Sequence, residues 1–371
     1  MRTLSEYSNP KPLSVRDTVL TLLRLGLGVD ASAPISNDWA EVFDVSSLQG
    51  ISTIVFDGVL KMFGAGDSVP GMSENERIYW LANTYRQETL EIAQRKSASD
   101  LAELFAKNNI TTFALKGFVV SECYPVPSHR QAVDFDCFLR PYPGHDFDAY
   151  EKGNVLMEQN GFEVSRDFYK HSHATVGILQ VENHCFLTPF RGNKTLKRFE
   201  IYLQSLLKAD NGADKIDGTE LSRPPVLFSA LFLLEHSYSH FLLDGIALRH
   251  ITDWAMFCRR HKDEIDWETL ERQVDEFGFR RFYDALCHVG EYVLGEREYV
   301  SLSDPEKRMM EGVWEGQFAD ETENLFKSRI NKARNIFQMG WRYRLFSSIS
   351  MPRALWIKIK GVLFIGNPKL N

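Results

Sequence analysis

Residues 115–139, LKGFVVSECYPVPSHRQAVDFDCFL, are the stretch on which the reading of this chain turns. Near its end, Asp134 and Asp136 alternate with Val133 and Phe135 in a short apolar run. Successive side chains of a strand point to opposite faces, so a strand here projects both carboxylates from one face. Two adjacent acids repel unless a cation or a proton lies between them, and a divalent metal is the commonest answer in an aqueous site. At the other end, Lys116-Gly117 closes the apolar run 111–115 and opens a second, 118–124. That pattern predicts a strand-to-helix turn whose backbone N–H groups face an anion.

Outward from this stretch the periodicity divides the chain. Thr111–Leu115 and Val133–Leu139 read as strands, with a short helix over Gly117–Tyr124 between them. Asp148–Asn160 reads as a helix ending at Gly161, and 162–169, 173–179 and 181–187 as further strands. Residues 110–192 are therefore expected to form a compact α/β core. Upstream, 1–109 reads as helical: a serine-capped helix over 14–27, then Trp39–Phe43 and Ile51–Met62 on either side of Gly50. Ser73-x-x-Glu76 is a capping box before a long helical region to Asn108, with a stripe of Ile78, Leu81, Tyr85, Leu101, Leu104 and Phe105. A break is expected at Ser97–Asp100, whose residues prefer caps to helix interiors. Downstream, 193–300 carries helical spacing at 194–207, 226–238, 246–257, 267–277 and 282–294, and 301–371 is a basic segment. The expected class is α+β: a small mixed-sheet domain flanked by N-terminal and C-terminal helical regions.

Apolar residues make up 44% of the chain and charged ones 25%, the balance of an ordinary soluble globular protein. The first residues lack a secretory apolar core, and no run approaches the ~18–20 apolar residues of a membrane span. Five scattered cysteines without CxxC pairing read as reduced thiols, the pattern of a cytoplasmic protein. The net charge of −7 hides an asymmetry: residues 324–371 hold ten Lys or Arg and no acid, while the rest carries 33 basic and 50 acidic residues. Aromatics interleaved with cations in 341–344 and 354–360 suit nucleic acid or anionic lipid, but nucleic acid is not the expected partner. The basic segment is expected to dock on the acidic body as a helix packing Leu355, Trp356, Ile359 and Val362, or to touch an anionic membrane surface weakly.

Nucleotidyl transfer needs metal-held carboxylates more than a nucleophilic side chain, because charge must be neutralised on a triphosphate and its leaving group. A phosphate-binding turn followed by a metal-binding strand is the layout of such a site. Two acids on one strand call for a third on a neighbour. The candidates are Glu182, in a strand-like stretch, and Glu200, on a helix where a charge usually faces solvent; Glu182 is preferred.

Leu115-Lys116-Gly117, then Tyr124-Pro125, then Arg130 four residues before Asp134-Phe135-Asp136, resembles the uncharacterised nucleotidyltransferase family of bacteria, within the polymerase-beta-like superfamily. Val181-Glu182-Asn183-His184 is similar to that family's later acid-x-His element. His236 and Arg249 with Asp253 are similar to its helical segment. The resemblance implies a nucleotidyltransferase fold, Mg2+ or Mn2+ as cofactor and an NTP such as ATP as donor. It implies Asp134, Asp136 and Glu182 as catalytic metal ligands, and Lys116, Gly117 and Arg130 as contacts to the donor phosphates. The acceptor, a small molecule, a saccharide precursor or a protein, is expected between the α/β core and the C-terminal helices. Phe118 stands where the wider superfamily has serine, which favours an alternative: a degenerate module binding nucleotide or a partner protein without turnover.

The remaining polar residues carry plainer readings. Arg130 either pairs with a nearby acid or contacts phosphate through its fork of donors. His171 and His173 read as structural or surface residues, and His184 as a residue orienting Glu182. Arg249 and Asp253, spaced i, i+4 on a helix, are expected to form a salt bridge. His236 and His240 lack the glutamate of a zinc protease motif.

Overall fold

The computed structural model describes residues 14–315 and 340–363, apart from 33–34, 37, 65–67, 211, 213 and 217. Ser14 Oγ accepts the Asp17 N–H and opens α1 (Val15–Gly26), followed by α2 (Trp39–Leu48) and α3 (Ser52–Phe63). Helices α1 and α3 cross at two glycines. A Cβ on Gly58 would lie 1.9 Å from the Leu22 carbonyl oxygen, and one on Gly26 2.0 Å from that of Ile54. The Ser73–Glu76 capping box starts α4 (Glu74–Ala106), a single helix of 33 residues.

Helix α4 departs from expectation twice. It runs unbroken through Ser97–Asp100, because Ala98 and Leu101 are buried beneath the sheet and Lys96 pairs with Asp100 at 2.7 Å. Its buried face is Trp80, Gln87, Glu91, Gln94, Ala98, Leu101, Ala102 and Phe105, whereas Ile78, Leu81 and Tyr85 face solvent. Trp80 chooses the side: its indole is enclosed by Trp39, Phe43 and Phe56 and donates to the Ser52 carbonyl at 3.0 Å.

One six-stranded mixed sheet follows, in the order β3-β4-β5-β2-β1-β6. Its strands are β1 (Ile110–Ala114), β2 (Phe135–Pro141), β3 (Val164–Ser165), β4 (His171–Val176), β5 (Leu179–His184) and β6 (Leu221–Ser222). Between β1 and β2 lies the one-turn α5 (Phe118–Ser121), and between β2 and β3 lies α6 (Ala149–Gln159), capped by Asp148. The strand expected over 162–169 shrinks to Val164–Ser165. The one expected over 173–179 ends at Val176, because Gly177 with φ 64° turns the chain into β5. Strand β6 has too short a pattern to read locally and forms only because it lies parallel to β1. It comes from the segment after residue 192.

The second half is helical: α7 (Lys194–Ala209), α8 (Val226–Leu243), α9 (Leu248–Arg260), α10 (Trp267–Phe277), α11 (Arg280–Val293), α12 (Asp304–Trp314), α13 (Gly340–Phe346) and α14 (Met351–Leu363). Helix α8 is long and apolar enough to cross a membrane, but 67% of it is buried as the central core helix. Residues of α1–α3 and of α7–α13 share one apolar core, and a second lies between α4, α5, α6 and the sheet. The helices before and after the sheet are thus one packing unit.

Part of the basic segment docks on this core. Arg342 is buried and donates to the Phe241 carbonyl at 2.9 Å. On α14 Ala354 is buried and Met351 packs on the core, Leu355 is half-buried, and Trp356, expected to pack, is 55% exposed. Residues 324–339 and 364–371, which carry the remainder of that expectation, lie outside the described residues, as do the side chains of Ile359 and Val362.

Candidate active site

Sheet register assembles the site. Strand β2 runs parallel to β5 with Asp136 opposite Glu182, and β5 runs antiparallel to β4 with Glu182 opposite His173 and His184 opposite His171. The alternation of a strand puts Asp136, Glu182, His184, His171 and His173 on one face, while Asn183 points to the other and donates to Asn154 of α6. Asp134 lies just before β2 rather than within it. Its carboxylate still converges with those of Asp136 and Glu182, their oxygens all within 4.8 Å of one another.

This donor set fits a divalent cation. Asp136 Oδ2 is buried and faces the Lys116 ammonium at 3.0 Å, so the three converging carboxylates share one positive charge among them. The three carboxylates offer the hard oxygen ligands that Mg2+ or Mn2+ takes. Glu200 is excluded from the group for a physical reason. It is fully buried, against the expectation of a solvated face, and accepts from the backbone N–H of Leu187 and Thr188, the Thr188 hydroxyl and Gln204. It ties the β5–α7 connection to α7.

Lys116 supplies the positive charge beside the acids. Its ammonium is 3.0 Å from Asp136 Oδ2 and 3.8 Å from Asp134 Oδ2, and 3.2 Å from His236 Nε2 on α8. Burial acts to lower the lysine, but the two aspartates outweigh it and hold it above its ordinary value. Burial acts the other way on Asp136, where Lys116 and His184 prevail and hold the carboxyl below the usual range. Glu182 is likewise held low by His171 and His184 against the push of burial. Desolvation keeps His236 well below the usual imidazole range, with Lys116 adding to it, so its Nε2 accepts from the ammonium.

Gly117 sits at φ 49°, ψ −97°, a conformation that residues with a side chain adopt only under strain. Helix α5 beyond it has four residues, too short for a macrodipole, so the expected helix-terminus anion site is reduced to the turn itself. Phe118 is 4% exposed, its ring 5.6 Å from that of Phe135 and capped by the Arg95 guanidinium. Where a hydroxyl would face phosphate, this chain has a core side chain.

Arg130 is committed elsewhere. Its Nε and Nη2 donate to the two oxygens of Asp253 at 3.0 and 2.7 Å, and Tyr124 Oη donates to Asp253 Oδ1 at 2.7 Å. Asp253 therefore bonds across the fold rather than to Arg249 one turn away. Arg249 has no carboxylate partner within 4.0 Å among the described residues, and burial, aided by Arg130, lowers its guanidinium. Lys116, Asp134, His236 and Arg249 line one cleft of about 40 Å³ between the sheet end and α8–α9. The loop leading to Asp134 is anchored by His129, with Nδ1 2.7 Å from Asp57 and Nε2 2.9 Å from Glu88. Burial works against a charged ring there, but the two carboxylates raise His129 above its ordinary value.

The five cysteines are free thiols. Sequence reasoning missed that Arg249 has no carboxylate partner among the described residues, and the grouping of His171 with Glu182 and His184. The only local signal for the latter was the H-x-H spacing, which says nothing about what lies on the next strand.

Comparison with curated proteins and with solved structures finds no match to the chain. The family model described as uncharacterised nucleotidyltransferase matches residues 36–295, from α2 through the sheet to the end of α11. With that span added to a mixed sheet bearing an acidic triad at one end, the chain belongs to the uncharacterised nucleotidyltransferase family.

Proposed function

We propose that the protein transfers a nucleoside monophosphate from an NTP to an acceptor hydroxyl or phosphate, with Mg2+ or Mn2+ held by Asp134, Asp136 and Glu182. The observation that carries this is the convergence of the three carboxylates within 4.8 Å beside a cleft lined by Lys116 and Arg249. The metal supplies neutralisation of the triphosphate and a lowered pKa for the attacking hydroxyl. Lys116 and Arg249 are the side chains placed to bind donor phosphates. Arg130, locked to Asp253, holds α9 against the β1–β2 connection and so keeps Arg249 at the cleft. His236, neutral and bonded to Lys116, steers that ammonium. The cleft takes the phosphate end of a donor, so sugar and base lie over its rim, and the acceptor approaches between the sheet end and α8.

A second reading, nucleotide binding without turnover, is favoured by Phe118, whose ring occupies the core where a phosphate-binding hydroxyl would be. One experiment separates them. Wild type and Asp134→Ala/Asp136→Ala are titrated with Mg2+ and each NTP, followed by thermal shift and by pyrophosphate release with hydroxyl-bearing acceptors. Metal-dependent binding with pyrophosphate release, both lost in the variant, is expected. Binding without release supports the second reading, and no metal-dependent binding in wild type overturns both.

A further inference from the structure

We infer that His171, Glu182 and His184 form a second divalent-cation site, suited to Zn2+ or Co2+, that shares Glu182 with the carboxylate site. Their ligand atoms all lie within 4.8 Å of one another, two of them on histidines paired directly across β4 and β5. One buried nitrogen without a hydrogen bond, His171 Nδ1, and the aim of His184 at the same carboxylates point to a cation. His184 Nδ1 is 3.1 Å from the Phe186 carbonyl, which can only accept, so Nδ1 carries a hydrogen. The Nε2 of the same ring then faces Asp136 Oδ1 at 3.0 Å and Glu182 Oε2 at 3.5 Å. Both carboxylates call for positive charge at this nitrogen, which a proton on Nε2 or a cation bound between the three groups supplies. An imidazole held through Nδ1–H by a backbone carbonyl is the arrangement of a metal-ligating histidine.

His171 gives the second observation. Its ring is more than nine-tenths buried, and Nδ1 lies 2.7 Å from Glu182 Oε2, yet the pair lacks the direction of a hydrogen bond and the nitrogen has no other partner. A shared cation accounts for a nitrogen and an oxygen held that close and misaligned. Two imidazoles and one carboxylate suit a borderline metal such as Zn2+, whereas the all-oxygen triad beside them suits Mg2+. Glu182 belongs to both groups and would bridge two unlike ions, one of which needs no nucleotide.

The test uses the full chain without nucleotide. Zinc-edge X-ray absorption of the wild type loaded with one equivalent of Zn2+ reads imidazole scattering directly, and Co2+ titration reads visible absorption of a nitrogen-ligated ion. Expected are two histidine ligands on zinc and a Co2+ spectrum that survives Asp134→Ala. In His171→Gln, with its fold checked by circular dichroism, Co2+ affinity should fall by more than about 100-fold, beyond the 10–100-fold cost of losing an orienting neighbour. An all-oxygen zinc environment, or unchanged Co2+ affinity in His171→Gln, overturns the proposal. Because neither readout involves nucleotide, failure of this site leaves the proposed transferase untouched, and failure of nucleotide binding leaves this site standing.

Discussion

Removing the carboxylate of Asp253 should destabilise the fold, whereas removing the guanidinium of Arg249 should weaken nucleotide binding and leave stability alone. Asp253 is 4% exposed and Arg130 7%, and their two parallel hydrogen bonds of 3.0 and 2.7 Å are joined by the Tyr124 hydroxyl at 2.7 Å. Asp253→Ala leaves a buried guanidinium without its counter-charge and a buried phenol without its acceptor. Breaking such a pair from one side costs about 3–5 kcal/mol. At about 2–4 °C per kcal/mol for a large domain, the melting temperature should fall by roughly 6–20 °C. Replacing both partners, as Arg130→Met/Asp253→Leu, removes both desolvated charges, so the double variant should lose less than the two single variants summed. Thermal melts and urea titrations of wild type, Asp253→Ala, Asp253→Leu, Arg130→Met and the double variant measure this. For Arg249→Ala, a melting temperature close to wild type and weaker donor binding in a thermal-shift titration are expected. If Asp253→Ala melts within 2 °C of wild type, a figure of about 1 kcal/mol at most, or if Arg130→Met weakens binding more than Arg249→Ala at unchanged stability, the assignment of these two arginines is refuted.

Further outcomes follow from charge and packing around the site. Asp136 is held below the ordinary aspartate range, so its contribution to stability is present above the unfolded value near 4 and is lost as pH falls below it. Lys116→Met should move that loss to higher pH in urea titrations repeated across the acid range; an unmoved acid limb would count against the ion pair. Glu235 is raised to about 7 by burial, against the Ser239 hydrogen bond. Its folded value lies above its unfolded one, so its stabilisation is full below about 4.5 and is lost as pH rises through 7, on the order of 3 kcal/mol. Glu235→Gln should flatten the melting temperature between pH 5 and 8, and an equally steep profile in the variant would exclude this group. Phe118→Ser restores a hydroxyl at the phosphate turn but empties a core position, costing about 3–5 kcal/mol. A lowered melting temperature without tighter nucleotide binding is expected, and tighter binding would show that the hydroxyl alone was lacking.

What the sequence determined by itself was whatever depends on neighbours a few residues away. The Ser73–Glu76 capping box, the helix from Asp148 and the alternation in Val181-Glu182-Asn183-His184 are local patterns that appear in the structure where the pattern puts them, while the strand read over Val133–Leu139 begins only at Phe135 and leaves Asp134 just outside it. Lys116-Gly117 was legible as a turn for the same reason, but its place beside the two aspartates follows from the antiparallel pairing of β1 with β2. Tertiary structure alone decided how polar groups are partnered, because burial makes each one find its complement wherever the fold brings it. Arg130 meets Asp253 across 123 positions, and Lys116 meets His236 across 120. Glu200 looked solvated by helical spacing, yet the β5–α7 turn surrounds it with donors. On α4, Trp80 rather than the stripe of Ile78, Leu81 and Tyr85 selected the buried face. His171 meets Glu182 and His184 only through the antiparallel register of β4 on β5, a pairing set by the turn at Gly177 and by the sheet as a whole. Spacing along the chain shows which side chains share a face. The register between strands shows which of them meet.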